Sequence, residues 1–243
     1  MTYTIEFERT ATDIASTPVI LLGAGCSGIE LVSRLLGDHF EIDFSTLDGL
    51  IPPSQPERWG FAVPGCTEEL HLLAELYPDA RFLHVVRDGR DVVLSQPGVA
   101  SGRFDTFAAA ADWANTVERI GSFLESIPPR RGLEIRYEDL LLRPVEMLDR
   151  IIAFLGIDDF DGSFLASIRH GFQRDLTREQ LAVPCAAFRR GELKLFERIA
   201  GMALYRYGYA TKKPERGIRS WAISRAFWKC DKSLQALTSR RWK

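Results

Sequence analysis

Apolar residues in this chain come in short runs, separated by glycine-rich, proline-rich or charged breaks. PVILLG, residues 18–23, is a continuous apolar run that predicts a strand buried on both faces. The glycine loop AGCSG follows it, and then IELVSRLLG, residues 29–37, with helical spacing. Residues 81–95, RFLHVVRDGRDVVLS, repeat this form: a buried strand Phe82–Val86 stops at Arg87, and a short helix is predicted from Asp88. Further strands are predicted at Glu41–Phe44 and in LEIRY, residues 133–137.

Between these strands the spacing predicts helices. One is TEELHLLAELY from Thr67, whose hydroxyl is placed to cap it, with Pro78 as its stop. A long amphipathic helix runs from Asp105 to Ile127 and ends at Pro128 and Pro129. Short helical pieces reach Gly156, one starting at Pro144, and a last helix covers residues 191–208. LIPPSQPERWG, residues 50–60, reads as irregular loop, and residues 96–104 as a loop able to cover a site. His84 reads as a core residue. Strands alternating with helices predict an α/β fold: a central parallel sheet flanked by helices in three layers, with ligands at the strand carboxyl ends.

The chain divides by character at residue 215. Residues 1–214 hold the α/β pattern, and residues 215–243 form a basic tail with Trp221, Trp228 and Trp242. Ile223, Phe227, Cys230, Leu234 and Leu237 make one apolar seam, which predicts a basic amphipathic C-terminal helix. Packing on its own domain, homodimer formation and contact with a membrane surface all fit that pattern.

Charge narrows the function. A net charge of −2 and a pI near 6.1 exclude a protein built for nonspecific nucleic-acid binding. No apolar run approaches the roughly 20 residues of a spanning helix, and the polar N-terminus lacks a signal pattern, so a cytoplasmic location is expected. Cys26, Cys66, Cys185 and Cys230 are widely spaced with no CxxC, which predicts neither a metal site nor a disulfide framework.

Both strand–loop–helix units suit an anion. A helix N-terminus presents unpaired N–H groups, and Arg87 presents a bidentate cation. GAGCSGIE lacks the lysine of an ATP- or GTP-binding P-loop. Gly23, Gly25 and Gly28 satisfy GxGxxG, with Asp43 near the acidic position of a dinucleotide site, but that reading leaves Arg87 and RYEDL without a role.

YPDARFLHVVRDGRDVVLS, LEIRYEDLLLRP and ELKLFERIAGMALYRYGY together resemble the sulfotransferases that use 3′-phosphoadenosine 5′-phosphosulfate (PAPS). With the first loop, the likeness covers roughly residues 18–210. It implies a P-loop-like fold and transfer of a sulfonyl group from PAPS to a hydroxyl or amine of a small molecule. Arg87 and Ser95 match the pair that binds the nucleotide 3′-phosphate. Gly23, Ser27 and Gly28 match the loop for the 5′ end, in which Gly25 stands for a proline and Cys26 takes a further position. Arg189 and Arg190 fall at a basic pair that could close over the nucleotide or the substrate. Asp43 and Asp48 are the positional candidates for the base that deprotonates the acceptor.

The pattern departs from the family in two loops. Cys26 stands where a cation is expected, and Ile29 and Glu30 stand where hydroxyl residues are expected. In WGFAVPGC, Ala62 and Gly65 occupy basic positions. These changes open the alternative of a descendant that lost sulfonyl transfer and uses the old cleft for other chemistry or for binding. Cys26, at a helix N-terminus, also invites the reading of a thiol with a lowered pKa, neighbour to Cys66.

Overall fold

The structure is a computed structural model that describes residues 17–40, 42–46, 59–65, 69–96, 105–157, 188 and 190–210. Its sheet has the order β2-β3-β1-β4-β5, with every neighbouring pair parallel. The strands are β1 (Val19–Gly23), β2 (Asp43–Thr46), β3 (Trp59–Pro64), β4 (Arg81–Val86) and β5 (Gly132–Arg136). The helices are α1 (Ile29–Phe40), α2 (Leu70–Leu76), α3 (Gly89–Leu94), α4 (Thr106–Ser126), α5 (Tyr137–Leu142), α6 (Pro144–Leu155) and α7 (Arg190–Arg206). Among the described residues, no helix is long and apolar enough to cross a membrane.

Central strands must be apolar on both faces, and β1 is buried at all five positions. Val19 and Leu21 join Leu83 and Val85 of β4 under α1, α5 and α6. Ile20 and Leu22 face the other way, onto Phe61, Val63, Phe82 and the α2 and α4 side chains. Beyond the carboxyl end of β4, α3, α4 and α7 close a third apolar cluster around Trp113 and Phe196. His84 is fully buried, as its place in β4 predicts, and its Nδ1 lies 3.0 Å from Oε2 of Glu134, its register partner on β5. Burial lowers the His84 pKa, so the ring stays neutral at pH 7.

Three elements differ from the sequence reading. β3 lies where an irregular loop was expected as far as Gly60. Only its pairing with β1 makes it a strand, and Gly60 is required there because a Cβ would sit 2.2 Å from the Val19 carbonyl oxygen. β2 starts at Asp43 rather than Glu41. α2 starts at Leu70 with Glu69 as an N-cap lacking a side-chain bond, so the hydroxyl cap read at Thr67 does not begin this helix, and residues 66–68 are outside the described residues. Most of the predicted covering loop (97–104) and the basic tail (215–243) are also outside them.

The topology fixes where a ligand belongs. The chain leaves β1 through α1 toward β2 on one side, and leaves β4 through α3 and α4 toward β5 on the other. Adjacent strands whose connections diverge leave a crevice at their carboxyl ends. Here that crevice lies between Gly23 and Arg87.

Helix α3 reaches the crevice only because α4 comes close beneath it. A Cβ on Gly89 would lie 2.3–2.6 Å from the Trp113 ring. Gly89→Ala is expected to cost about 1–3 kcal/mol through overpacking. Gly191→Ala, where no atom lies within 4 Å of an added Cβ, is the matching control. Thermal unfolding of the two variants checks this: the first should lose several degrees of Tm and the second none.

Candidate functional site

The loop after β1 turns sharply. Cys26 has φ 62° and Gly28 has φ 100°, and successive turns of this sign fold backbone amides around a concavity. Gly28 could carry no side chain in any case, since a Cβ would fall 2.3 Å from the Tyr137 ring. Beside Gly25, by contrast, no atom lies within 4 Å of an added Cβ. The Ser27 amide donates to the Ala24 carbonyl, and the Gly28 carbonyl starts α1 by accepting from Leu31 and Val32. The Ser27 hydroxyl is buried, with the residue 1% exposed, and has no hydrogen-bond partner among the described residues.

Arg87 stands at the carboxyl end of β4, next to this loop. Its Nη1 donates to the Cys26 carbonyl at 3.1 Å, and its guanidinium lies 4.9 Å from the centre of the Tyr137 ring. The residue is 9% exposed. No carboxylate among the described residues forms an ion pair with it. Asp88 is taken by Arg90, at 2.6 Å, and Asp139 by Arg143, at 3.0 Å. A buried guanidinium held by a carbonyl and an aromatic face keeps its positive charge available to an anion.

Ser95 caps the carboxyl end of α3 and is exposed. Its carbonyl lies 3.8 Å from the Cys26 thiol, so Cys26 joins all three parts: its carbonyl meets Arg87 and its sulfur meets Ser95. The structure thus brings Gly23, Gly25, Cys26, Ser27, Gly28, Arg87 and Ser95 to one end of the sheet. The backbone of the two outer loops meets there as well, where the Gly65 amide donates to the Gly23 carbonyl at 2.8 Å.

Other sequence candidates are not brought in. Asp43 opens β2 in register with Trp59, the first residue of β3, so it stands at the amino end of the sheet. Five residues of strand, about 16 Å, separate that level from the loop after β1, which removes Asp43 as the base. Asp48 and Arg189 are outside the described residues, as is the side chain of Arg190.

Two electrostatic expectations are also corrected. The Cys26 thiol does not have a lowered pKa. Burial raises it and nearby Glu30 adds to the rise, against a smaller opposing effect from Arg87. Cys66, its expected neighbour, is outside the described residues. The amides opening α3 are not waiting for an anion either, because the Asp88 carboxylate accepts from the Arg90 amide at 2.9 Å and the Asp88 amide donates to Glu138. The cation at this corner is Arg87, with Ser95 at the other end of α3. Burial, reinforced by Asp88, pushes the nearby Asp91 carboxyl from 3.8 up to about 6.

Sequence reasoning assigned no role to Tyr137, Glu138, Arg90 or Tyr209, all of which build this corner. The signal was the segments RYEDL and RYGY themselves, but their partners lie 50 or more residues away.

Comparison with known proteins agrees with the geometry. Residues 46–162 match the family described as the sulfotransferase family, a stretch that includes Arg87 and Ser95 and stops short of the first loop. The omega-hydroxy-beta-dihydromenaquinone-9 sulfotransferase Stf3 of Mycobacterium tuberculosis is 29% identical over 104 residues, 38% of this chain and 27% of that protein. A protein-tyrosine sulfotransferase of Drosophila melanogaster is 33% identical over 89 residues, 34% of this chain and 18% of that protein. The match therefore spans about a quarter or less of these relatives' length. The crystal structure of mouse sulfotransferase SULT7A1, complexed with PAP, superposes with a TM-score of 0.55 at 17% identity, covering 79% of this chain and 88% of that one. The parallel sheet of order β2-β3-β1-β4-β5 is a sulfotransferase-like fold, and residues 46–162 of the chain match the sulfotransferase family.

Proposed function

We propose that the protein binds PAPS in the crevice between β1 and β4 and transfers its sulfonyl group to a hydroxyl or amine of a small molecule. The observation that carries this reading is Arg87, a buried guanidinium set by the Cys26 carbonyl and the Tyr137 ring rather than by a carboxylate. Arg87 and the Ser95 hydroxyl bind the ribose 3′-phosphate. The loop Gly23, Gly25, Cys26, Ser27 and Gly28 binds the 5′ end through its amides and the Ser27 hydroxyl, with open space beside Gly25 to admit it. Arg189 and Arg190 close over the nucleotide or the acceptor, and Asp48 takes the acceptor proton. PAPS supplies the activated sulfonyl group when bound.

The reaction needs charge stabilisation where the bond to sulfur breaks. Loop residues 24–28 carry no cationic side chain, and Glu30 lies in the first turn of α1. Its exposure lets water screen the carboxylate, so binding survives while catalytic charge is weak. The same observation favours the second reading, a family member that binds the nucleotide and no longer transfers from it.

Thermal stabilisation by adenosine 3′,5′-bisphosphate tests the binding claim. Ligand at 100 times its Kd should add about 2.7 kcal/mol to the wild type, and Arg87→Ala should remove that gain. An unchanged Tm in wild-type protein with both the bisphosphate and PAPS would end the nucleotide reading. Binding without consumption of PAPS, across a panel of hydroxyl and amine acceptors, would select the second reading.

Asp91 gives a pH-dependent check. Its carboxyl is neutral below about 6 and charged above it. The charged form opposes an anion on Arg87, its near neighbour. Asp91→Asn should therefore tighten bisphosphate binding at pH 8 by about two- to fivefold, as expected for a screened like-charge contact of under 1 kcal/mol. At pH 5 it should have little effect. Calorimetry at both values, wild type against variant, cancels the ionisation of the phosphate itself.

A further inference from the structure

Arg87 sits on a turn that has its own supports. Asp88, the residue after it, is bound from outside the strand, and the Tyr209 hydroxyl packs beside the Val86 carbonyl before it. The Asp88 amide donates to Oε1 of Glu138 at 2.9 Å. The Tyr209 hydroxyl lies 2.7 Å from Oε2 of Glu138 and 3.2 Å from the Val86 carbonyl oxygen. A hydroxyl has one proton to give, and the shorter, charge-assisted bond to Glu138 takes it. Burial, with the Glu138 charge beside it, raises the Tyr209 pKa and keeps that proton on the phenol.

Two further ties brace the same corner. Arg136, the last residue of β5, lies with its guanidinium 4.4 Å from the Tyr209 ring centre and its Nε 3.9 Å from Oε2 of Glu138. Arg90 donates from Nη2 to the Tyr209 carbonyl at 3.1 Å, while Nε and the same Nη2 hold the Asp88 carboxylate. The turn after β4, the start of α5 and the chain just past α7 are thus joined by one carboxylate and one phenol.

A carboxylate close to a phosphate-binding arginine ordinarily weakens the site. Glu138 is oriented so that both oxygens meet donors, with Arg136 offsetting its charge. Tyr137, its neighbour in sequence, supplies the ring under the Arg87 guanidinium. The first two residues of α5 therefore set both the backbone and the side chain of Arg87.

We propose that Glu138 and Tyr209 are positioning residues that fix the Val86–Asp88 turn, and so aim Arg87 at the nucleotide 3′-phosphate. This rests on the nucleotide reading above. Neither residue touches the ligand; they act through Arg87, and they make the 3′-phosphate site depend on the chain after α7.

Calorimetry with two probes tests it: adenosine 3′,5′-bisphosphate, and adenosine 5′-phosphosulfate, which lacks the 3′-phosphate. The full-length chain is used as wild type, Tyr209→Phe, Glu138→Gln, Arg87→Ala and the Arg87→Ala/Tyr209→Phe double variant. Tyr209→Phe and Glu138→Gln are expected to weaken bisphosphate binding by about threefold to tenfold, the range of one lost hydrogen bond. Their affinity for the phosphosulfate should stay at the wild-type value. In the Arg87→Ala background, Tyr209→Phe should cost nothing more, because residues that act through one another are not additive. Wild-type affinity for the bisphosphate in both single variants, or an equal loss for both probes, would overturn the positioning role while leaving the nucleotide reading intact. Failure of the wild type to bind the bisphosphate would overturn both.

Discussion

A guanidinium that is largely buried must be held by something, and what holds Arg87 decides what the protein can do. Removing a charge from water costs several kcal/mol unless it is compensated. Had Asp88 or Asp139 closed on Arg87, the cost would be met internally and the positive charge consumed. Instead Arg90 takes Asp88 and Arg143 takes Asp139. Arg87 is left with the Cys26 carbonyl and the face of Tyr137, two partners that orient a guanidinium without neutralising it. These two ion pairs keep Asp88 and Asp139 from neutralising Arg87 at the edge of the crevice.

The sheet makes that arrangement possible. Parallel strands bring every β–α loop to the same end, and the divergence after β1 and β4 opens the crevice between two of those loops. Register then places Arg87 two residues beyond the level of Gly23, beside the loop that follows β1, since Leu22 pairs with His84. The strand core is responsible for this precision. Val19 and Leu21 grip one helical layer and Ile20 and Leu22 the other, and a slip of one residue would exchange them.

Much of the fold was legible because the central strands are continuous apolar runs that need no partner to be recognised. PVILLG and FLHVV became β1 and β4, and Asp105 caps α4 as its position suggests, accepting from the Phe107 and Ala108 amides. β3 was not legible. WGFAVP opens inside a proline-rich stretch, and its glycine is a requirement of the neighbouring strand rather than of its own. The site followed the same division. Glycines and a strand-end arginine carry a local signal, so the turn after β1 and the place of Arg87 at the end of β4 could be read directly. Asp43 could not be judged, because a two-residue shift in a strand boundary sends it to the far end of the sheet. The direction of the Cys26 pKa depends on burial and on Glu30, which only the packed structure supplies. Glu138 and Tyr209 were present in recognisable segments, but their roles are long-range hydrogen bonds, and nothing in local spacing reports those.

The two halves of the site use different means to attract an anion. At Arg87 the means is a formal charge, reinforced by a rigid turn. In the first loop it is backbone geometry: positive φ at Cys26 and Gly28, a buried serine hydroxyl and open space at Gly25. Amides and hydroxyls bind an anion in place, but they add less than a cation does when charge moves during bond breaking. On the proposed nucleotide reading, a protein built this way would hold the non-reacting end of the nucleotide firmly and the reacting end lightly. Binding energy from the remote end is then the resource available for orienting the reacting end. Rate should consequently depend more on how well Arg87 is aimed than in a site where the first loop carries its own cation. That dependence gives a physical reason for fixing the turn around Arg87 with Glu138 and Tyr209 from two distant parts of the chain.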